Sequence, residues 1–279
     1  MACSVAAAAS VQGVDDTGAT VTLAKPAERI VSLAPHATEL LFAAGAGARV
    51  VGVISRSDFP PAATRLPVVG NATVLDLERI LSLNPDLVVT WPYTAPPQVD
   101  LVRAQRIAVF TTSPRTIDGI ARDLERLGAL AGSADVAKEA AGRFRSRLAA
   151  LAERSRNKSI VRVFYQVSDV PLYTVGGEHL ITQALELCGA TNVFASFSLP
   201  APEVGIEAVL AARPDAIVAG TSGAVVPSWL HEWTRWADMP AVRMNRLFVV
   251  DANLLHRPGP RFVDGVEQLC DAIERARAR

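Results

Sequence analysis

The chain lacks most of what a protein needs to act through charge, a resident metal or a lipid bilayer. Its 28 basic residues balance 28 acidic ones, so the positive field with which nucleic-acid binders neutralise phosphates is missing and no nucleic-acid partner is expected. No apolar run approaches the ~20 residues of a membrane-spanning helix. Three cysteines and four histidines fall into no CxxC or Cys/His spacing, which argues against a protein-held metal. The patterns GxSxG, HExxH and GxxxxGK[ST] do not occur, and "GAGARVVG" follows a helix, so its glycines end that helix rather than cradle a phosphate. With no nucleophile, base and acid in a recognisable order, the chain reads as a non-enzyme without a cofactor of its own.

What the chain does have is apolar residues. Half of its 279 residues are hydrophobic and a fifth charged, enough for a packed core and too long a chain for one core of ordinary size. Short β-rich runs alternate with helical patterns: "RIVSLA", "ATELLFAAG", "RVVGVI", "DLERILSL", "DLVVTW", "PPQVDLVRAQ" and "IAVFTT". Strands that are continuously apolar and joined by helices predict a parallel sheet covered on both faces.

From Ser133 the pattern becomes one amphipathic helix to about Arg156, with Ala137, Ala140, Phe144, Leu148 and Leu151 on one stripe. At 1.5 Å per residue it would span ~33 Å, enough to cross from one lobe to another. The βα alternation then restarts with "IVRVFYQ", "LYTVGG", a helix to Cys188, "EAVLAARP", "DAIVAG", "PSWLHEWTRW", "RLFVVD" and a last helix from about Pro260.

The restart repeats the first half in detail. "ERILSLNPDLVVTW" (Glu78–Trp91) is echoed by "EAVLAARPDAIVAG" (Glu207–Gly220), and "ELLFAAGAGARVVGV" by "QALELCGATNVFAS". A doubled βα unit is the simplest account. The expected architecture is α/β, with two Rossmann-like lobes joined by one long interdomain α-helix. The expected bounds are an N-terminal segment 1–27 with a short β-hairpin, a lobe 28–132, a connecting helix 133–157 and a lobe 158–279. Ligands of such sheets bind outside the carboxyl ends of the strands, so a cleft between the two lobes is the expected site.

Candidate ligand-facing residues follow from that topology. His36 lies in the turn after the first strand ("LAPHATEL") and His256 follows a late strand ("NLLHRPGPR"). Phe59, Trp91, Tyr93, Tyr165 and Tyr173 stand near strand ends, where rigid aromatic faces suit a large planar ligand. Pro92, Pro96 and Pro97 stiffen the Trp91–Tyr93 loop. The plainer reading of each is a wall or core residue, and Trp229, Trp233 and Trp236, at helical spacing, read as a helix packed on its own sheet.

Glu78 and Glu207 open equivalent helices. They are dipole-favourable acids or, because they are duplicated, a pair spaced to meet a two-fold symmetric partner. Cys188 and Cys270 are either buried thiols or one disulfide, which would close a long loop. "MACSVAAAAS" has no basic start; it reads as a trimmed export signal or an artificial terminus rather than as an acylated Cys3.

The stretches "RIVSLAPHATELLFAAGAGARVVGV", "SDFPP", "LDLERILSLNPDLVVTW", "VPLYTVGGEHLITQALELCGATNVF" and "RPGPRFVDGVEQLCDAI" resemble the periplasmic cobalamin-binding proteins of ABC importers, within a wider group that carries haem and ferric siderophores. The resemblance covers nearly all of the chain. It implies a periplasmic, monomeric two-lobed carrier with little hinge motion that delivers cobalamin (vitamin B12, a corrinoid) to a dimeric ABC permease with its ATPase subunits.

Carried over by motif, Glu78 and Glu207 match acids that dock on permease arginines, and Trp91 matches an aromatic lining the corrinoid cleft. Phe59 stands where the branch commonly has Tyr, and Pro35 and His36 border the ligand. Cys188 and Cys270 match a disulfide of that branch. The sequence departs from the pattern in "VVGNATVLDLERI" and "SLPAPEVGIEAVL", each of which lacks a tryptophan the closest cobalamin binders place before the helix. That loss keeps haem as the alternative cargo, with His36, His256 or a tyrosine as axial ligand.

Overall fold

The structure is a computed structural model that describes residues 10–223 and 226–278; Cys3 lies outside these. The first described element is an antiparallel hairpin of β1 (Val11–Val14) and β2 (Thr20–Leu23), with Val11 opposite Leu23 and Val14 opposite Thr20. Its turn is held by Asp15, whose Oδ1 accepts from the amides of Thr17 at 2.9 Å and Ala19 at 3.0 Å.

The chain divides into two compact units, one ending at Pro114 and resuming over Asp118–Arg143, the other made of Arg115–Ile117 and Phe144 onward. The first holds four parallel strands, β3 (Ile30–Ser32), β4 (Val50–Val53), β5 (Leu87–Thr90) and β6 (Ala108–Thr111), in the order β4-β3-β5-β6. Helices α1 (Pro35–Ala43), α2 (Leu77–Ser82), α3 (Pro96–Ala104) and α4 (Ile117–Leu130) connect and follow them. Its apolar core gathers Val31, Leu33, Ile54, Val69, Ile80, Val88, Val99 and Val102. Gly128 on α4 lets α5 (Ala134–Ser155) approach closely, since a Cβ there would lie 2.1 Å from that of Ala137. The stripe Ala137, Ala140, Phe144, Leu148 and Leu151 is buried along α5, as its spacing predicts.

The second unit repeats the plan. Strands β7 (Val161–Gln166), β10 (Ala190–Asn192), β11 (Ala216–Thr221) and β12 (Leu247–Asp251) run parallel in the order β10-β7-β11-β12. A two-residue hairpin, β8 (Ser168–Asp169) with β9 (Leu172–Tyr173), is inserted after β7. Helices α6 (Leu180–Leu187), α7 (Ile206–Ala212), α8 (Ser228–His231), α9 (Pro240–Arg243), α10 (Ala252–Leu255) and α11 (Phe262–Ala278) complete it. Counting the parallel strands of each unit in chain order, both sheets read 2-1-3-4, so the doubled sequence motif is a doubled topology. In both, the helix ending in Asn-Pro-Asp or Arg-Pro-Asp feeds the third strand, α2 into β5 and α7 into β11.

Trp233 belongs to the second core with Phe164, Val209, Ile217 and Leu230, and its indole N–H donates to Gln166 at 2.7 Å. Cys188, at the C-cap of α6, and Cys270 in α11 form a disulfide with Cα atoms 4.8 Å apart. That settles the alternative their spacing left open.

Candidate ligand-binding site

A 2-1-3-4 order places the topological switch between the first and third strands, and the crevice outside their carboxyl ends is where such sheets take ligands. In the first unit those ends are Ser32 and Thr90. Past β3 the chain turns directly into α1, with Pro35 at its first position and His36 buried at the second. Past β5 come Trp91 and Tyr93. The His36 and Trp91 rings meet edge to face at 5.8 Å and Trp91 meets Tyr93 in the same way at 4.7 Å.

Burial grades outward across this trio: His36 is covered, Trp91 is half-buried and Tyr93 is 68% exposed. Phe59, in the loop after β4, is also exposed. In the same unit the hydroxyls of Ser32, Thr38 and Ser57 lie within hydrogen-bonding distance, Thr38 to Ser32 at 2.8 Å and Thr38 to Ser57 at 3.1 Å. They tie the turns after β3 and β4 together.

The equivalent place in the second unit is built differently. Tyr165, the penultimate residue of β7, is wholly buried, and its hydroxyl lies 3.0 Å from Nε2 of His256. Gly220 on β11 leaves room for this pair: a Cβ there would lie 2.4 Å from the Tyr165 oxygen and 2.7 Å from His256 Nε2. Burial pushes the Tyr165 phenol up, so it stays protonated and is the natural donor to His256. Surrounding protein lowers the pKa of His256, against the pull of Asp251. His179 caps α6 through Nδ1, which accepts from the Ile181 amide at 3.1 Å, and burial, with His256 nearby, lowers its pKa to about 4. Tyr173 is half-buried on β9 and forms a bridge to Glu203.

Glu78 and Glu207 are the second residues of α2 and α7, exposed on each. They therefore occupy the same position of the same motif in the two units. The structure thus brings His36, Trp91 and Tyr93 into one cluster and Tyr165 with His256 into another. Gly220, Gln166 and Arg56 are the residues sequence reasoning passed over, because what marks them is a tertiary neighbour or a backbone angle.

The sequence profile of the periplasmic binding protein family matches residues 30–254, spanning both sheets. The chain belongs to the periplasmic binding protein family. Within it, the chain is 38% identical over 251 residues to the vitamin B12-binding protein of Vibrio cholerae, covering 89% of this chain and 90% of that one. Among solved structures, the periplasmic vitamin B12-binding protein BtuF of Vibrio cholerae matches with a TM-score of 0.81 at 36% identity, covering 91% of this chain and 99% of that one. The periplasmic heme-binding protein RhuT of Roseiflexus sp. RS-1 matches with a TM-score of 0.77 at 27% identity, over 89% and 98% of the two chains. Likeness in this family therefore extends both to vitamin B12-binding and to heme-binding proteins.

Proposed function

We propose that the protein is the corrinoid-binding component of an ABC importer, taking up vitamin B12 outside the cytoplasmic membrane and passing it unchanged to a dimeric permease with its ATPase subunits. The observation that carries this reading is the likeness to the vitamin B12-binding protein, which spans about nine-tenths of both chains at 38% identity. The physical arrangement supports it. A corrinoid brings its own metal and metal ligands, so capture needs flat apolar walls and a polar rim rather than a protein-held cation. Trp91 and Tyr93 offer such a wall at the switch point of the first unit, with Pro35, His36 and Phe59 proposed beside it; in the second unit Tyr165, Tyr173 and His256 are the proposed ligand residues, the Tyr165–His256 pair acting from beneath the surface. The Cys188–Cys270 disulfide fits an oxidising compartment.

Calorimetric titration of the purified monomer with cyanocobalamin tests the cargo. Saturable one-to-one binding is expected, and Trp91→Ala should weaken it by roughly 10–100-fold, the worth of one desolvated aromatic anchor. Absence of heat and of any thermal shift at tens of micromolar would count against the reading. Haem is the second reading, favoured by the likeness to RhuT; a Soret band on hemin addition that disappears in His36→Ala, His256→Ala or Tyr93→Phe would support it instead.

Glu78 and Glu207 are proposed as the docking acids, one per unit, each meeting an arginine of one permease subunit. The double variant Glu78→Ala/Glu207→Ala should keep its affinity for cyanocobalamin and lose most delivery to the permease in a reconstituted transport assay. Loss of cargo affinity in that variant would sink the assignment.

A further inference from the structure

We propose that the first unit carries an oxyanion subsite beside its aromatic ledge, in which Arg56 reads a negatively charged group on the periphery of the ligand; the inference rests on the corrinoid reading above. A cavity of about 350 Å³ opens next to Pro35, the residue that starts α1, and its lining includes Ser55, Arg56, Asn71, Ala72 and Thr73. Arg56 supplies the only formal charge of that lining, and no carboxylate contributes to it. Its guanidinium makes none of the described ion pairs or hydrogen bonds, whereas Arg29, Arg49, Arg103 and Arg126 of the same unit are each engaged.

The backbone says that an arginine is kept here against its preference. Residues Ile54–Ser57 form a turn closed by the Ser57 amide on the Ile54 carbonyl at 3.3 Å, and Arg56 takes its third position with φ of +65°. Glycine or asparagine is the ordinary choice there. Among the described residues, every other non-glycine residue with positive φ sits at the edge of a helix: Asn84, Ala95, Arg106, Asn157, Arg213 and Asn245. A strained turn with a cation on it, at the mouth of a cavity, points to a charge that is wanted in that place.

The polar part of the remaining lining, beside the apolar Pro35, Ile54, Ala72 and Val74, fits the same chemistry. Asn71 spends its carbonyl oxygen on the amides of Thr73 at 2.8 Å and Val74 at 2.9 Å, which leaves its NH₂ as a donor. Ser55 and Thr73 add exposed hydroxyls. The frame is pinned, since the Ser55 amide donates to Gly70 at 2.8 Å and the Ala95 amide to the Ala72 carbonyl at 2.9 Å, which joins the cavity wall to the loop that begins at Trp91. A cationic fork with neutral donors around it recognises a phosphate or carboxylate oxygen pair.

A corrinoid can present that oxyanion from two places, the phosphodiester of its nucleotide arm or a free carboxylate on the ring edge. Affinities of wild type, Arg56→Gln and Arg56→Asn for cyanocobalamin, for dicyanocobinamide, which has no phosphodiester, and for a cobalamin monocarboxylic acid separate the sources. If the phosphodiester is read, wild type prefers cyanocobalamin to cobinamide, and both variants lose about 10–100-fold on cyanocobalamin with less than about twofold on cobinamide. If a ring carboxylate is read, the loss falls on the monocarboxylic acid alone. In either case the preference shrinks as salt is raised. Arg56→Asn also relieves the turn, so its first unit should melt higher than wild type and a weaker ligand cannot be blamed on misfolding. Variants that bind all three ligands as wild type does would overturn the subsite while leaving the corrinoid reading intact; a wild type that binds none of them overturns both.

Discussion

The two units share one strand order and fasten the helix that follows the fourth strand by opposite means. In the first unit, α4 is held by a largely covered polar cluster. Arg126 pairs with Asp123 and, at 2.5 Å, with Asp16 of the hairpin turn, while the Thr112 hydroxyl donates to Asp123 at 2.7 Å. Asp15 and Asp16 also accept from the amides of Thr111 at 3.1 Å and Ser113 at 2.5 Å, clasping the hairpin to the end of β6. In the second unit, α11 is held by a covalent bond to α6, by Arg277 reaching the carbonyls of Cys188 and Gly189 at 2.7 Å, and by an exposed ion ladder to α5. A duplicated topology sets where the strands lie and leaves the fastening free to diverge.

Breaking the disulfide should give the largest difference between the units. It closes 82 residues of sequence, and the chain-entropy account assigns such a loop about 4–5 kcal/mol. In Cys188→Ala/Cys270→Ala, hydrogen exchange should accelerate through β7, β11 and α11 while β3 and β5 keep their protection. Uniform loss across both units would show that they unfold as one body and would end the comparison.

The pH response should run in opposite directions. Burial, reinforced by the negative charge of Asp16 and opposed by Arg126 and Thr112, raises Asp123 to about 7. A carboxyl whose folded pKa exceeds the unfolded value near 3.9 gives its full stability below pH 4 and loses it as pH rises toward 7. The first unit should therefore weaken over that interval by up to about 4 kcal/mol, and Asp123→Asn should flatten the slope. In the second unit His179 is held near 4, below its ordinary 6.5. A depressed histidine contributes fully above pH 6.5 and loses that contribution as pH falls toward 4, because the proton occupies the nitrogen that caps α6. His179→Asn keeps an acceptor at the cap and should remove an acid-side loss of roughly 1–2 kcal/mol. Exchange protection of α4 and α6 across pH 4 to 8 reads both slopes, and slopes of one sign would refute the contrast.

How much of this was legible in the sequence depends on whether the cause was local. "DLVVTW" and "DAIVAG" announce parallel strands because both faces are apolar, and the glycines of "GAGARVVG" announce a helix end. Helix α4 was passed over, since 117–130 lies between two clearer signals, and β10 hides as three residues behind Gly189. The same two-sided burial that reveals a strand conceals which side opens on space: Phe164 and Tyr165 are neighbours on β7 and both are fully covered, so only the fold shows that Tyr165 ends on His256. Trp91 and Tyr93, past the end of a strand and among prolines, could be placed in advance at the ledge. Arg56 could not, because its signature is a positive φ and a cavity formed by residues 15 positions further on.

Salt offers the smallest and most discriminating contrast. Arg147 bridges Asp264 at 2.7 Å and Glu267 at 2.9 Å, Arg154 bridges Asp271 at 2.6 Å and Lys158 bridges Glu274 at 2.7 Å, mostly between side chains that are about half exposed. Exposed pairs are worth about 0.2–1 kcal/mol each and are screened within ~3 Å at 1 M salt. The Asp123 carboxylate of the first unit is fully covered and Arg126 is three-quarters covered, so its pair is screened much less. Raising sodium chloride to 1 M should thus loosen α11 by up to about 1 kcal/mol and leave α4 unchanged, and Arg147→Met should remove part of the salt response together with a few tenths of a kcal/mol of low-salt stability. If α4 proved the salt-sensitive helix, the buried cluster would have to be open to solvent, and the division between an ion-locked and a disulfide-locked unit would fall with it.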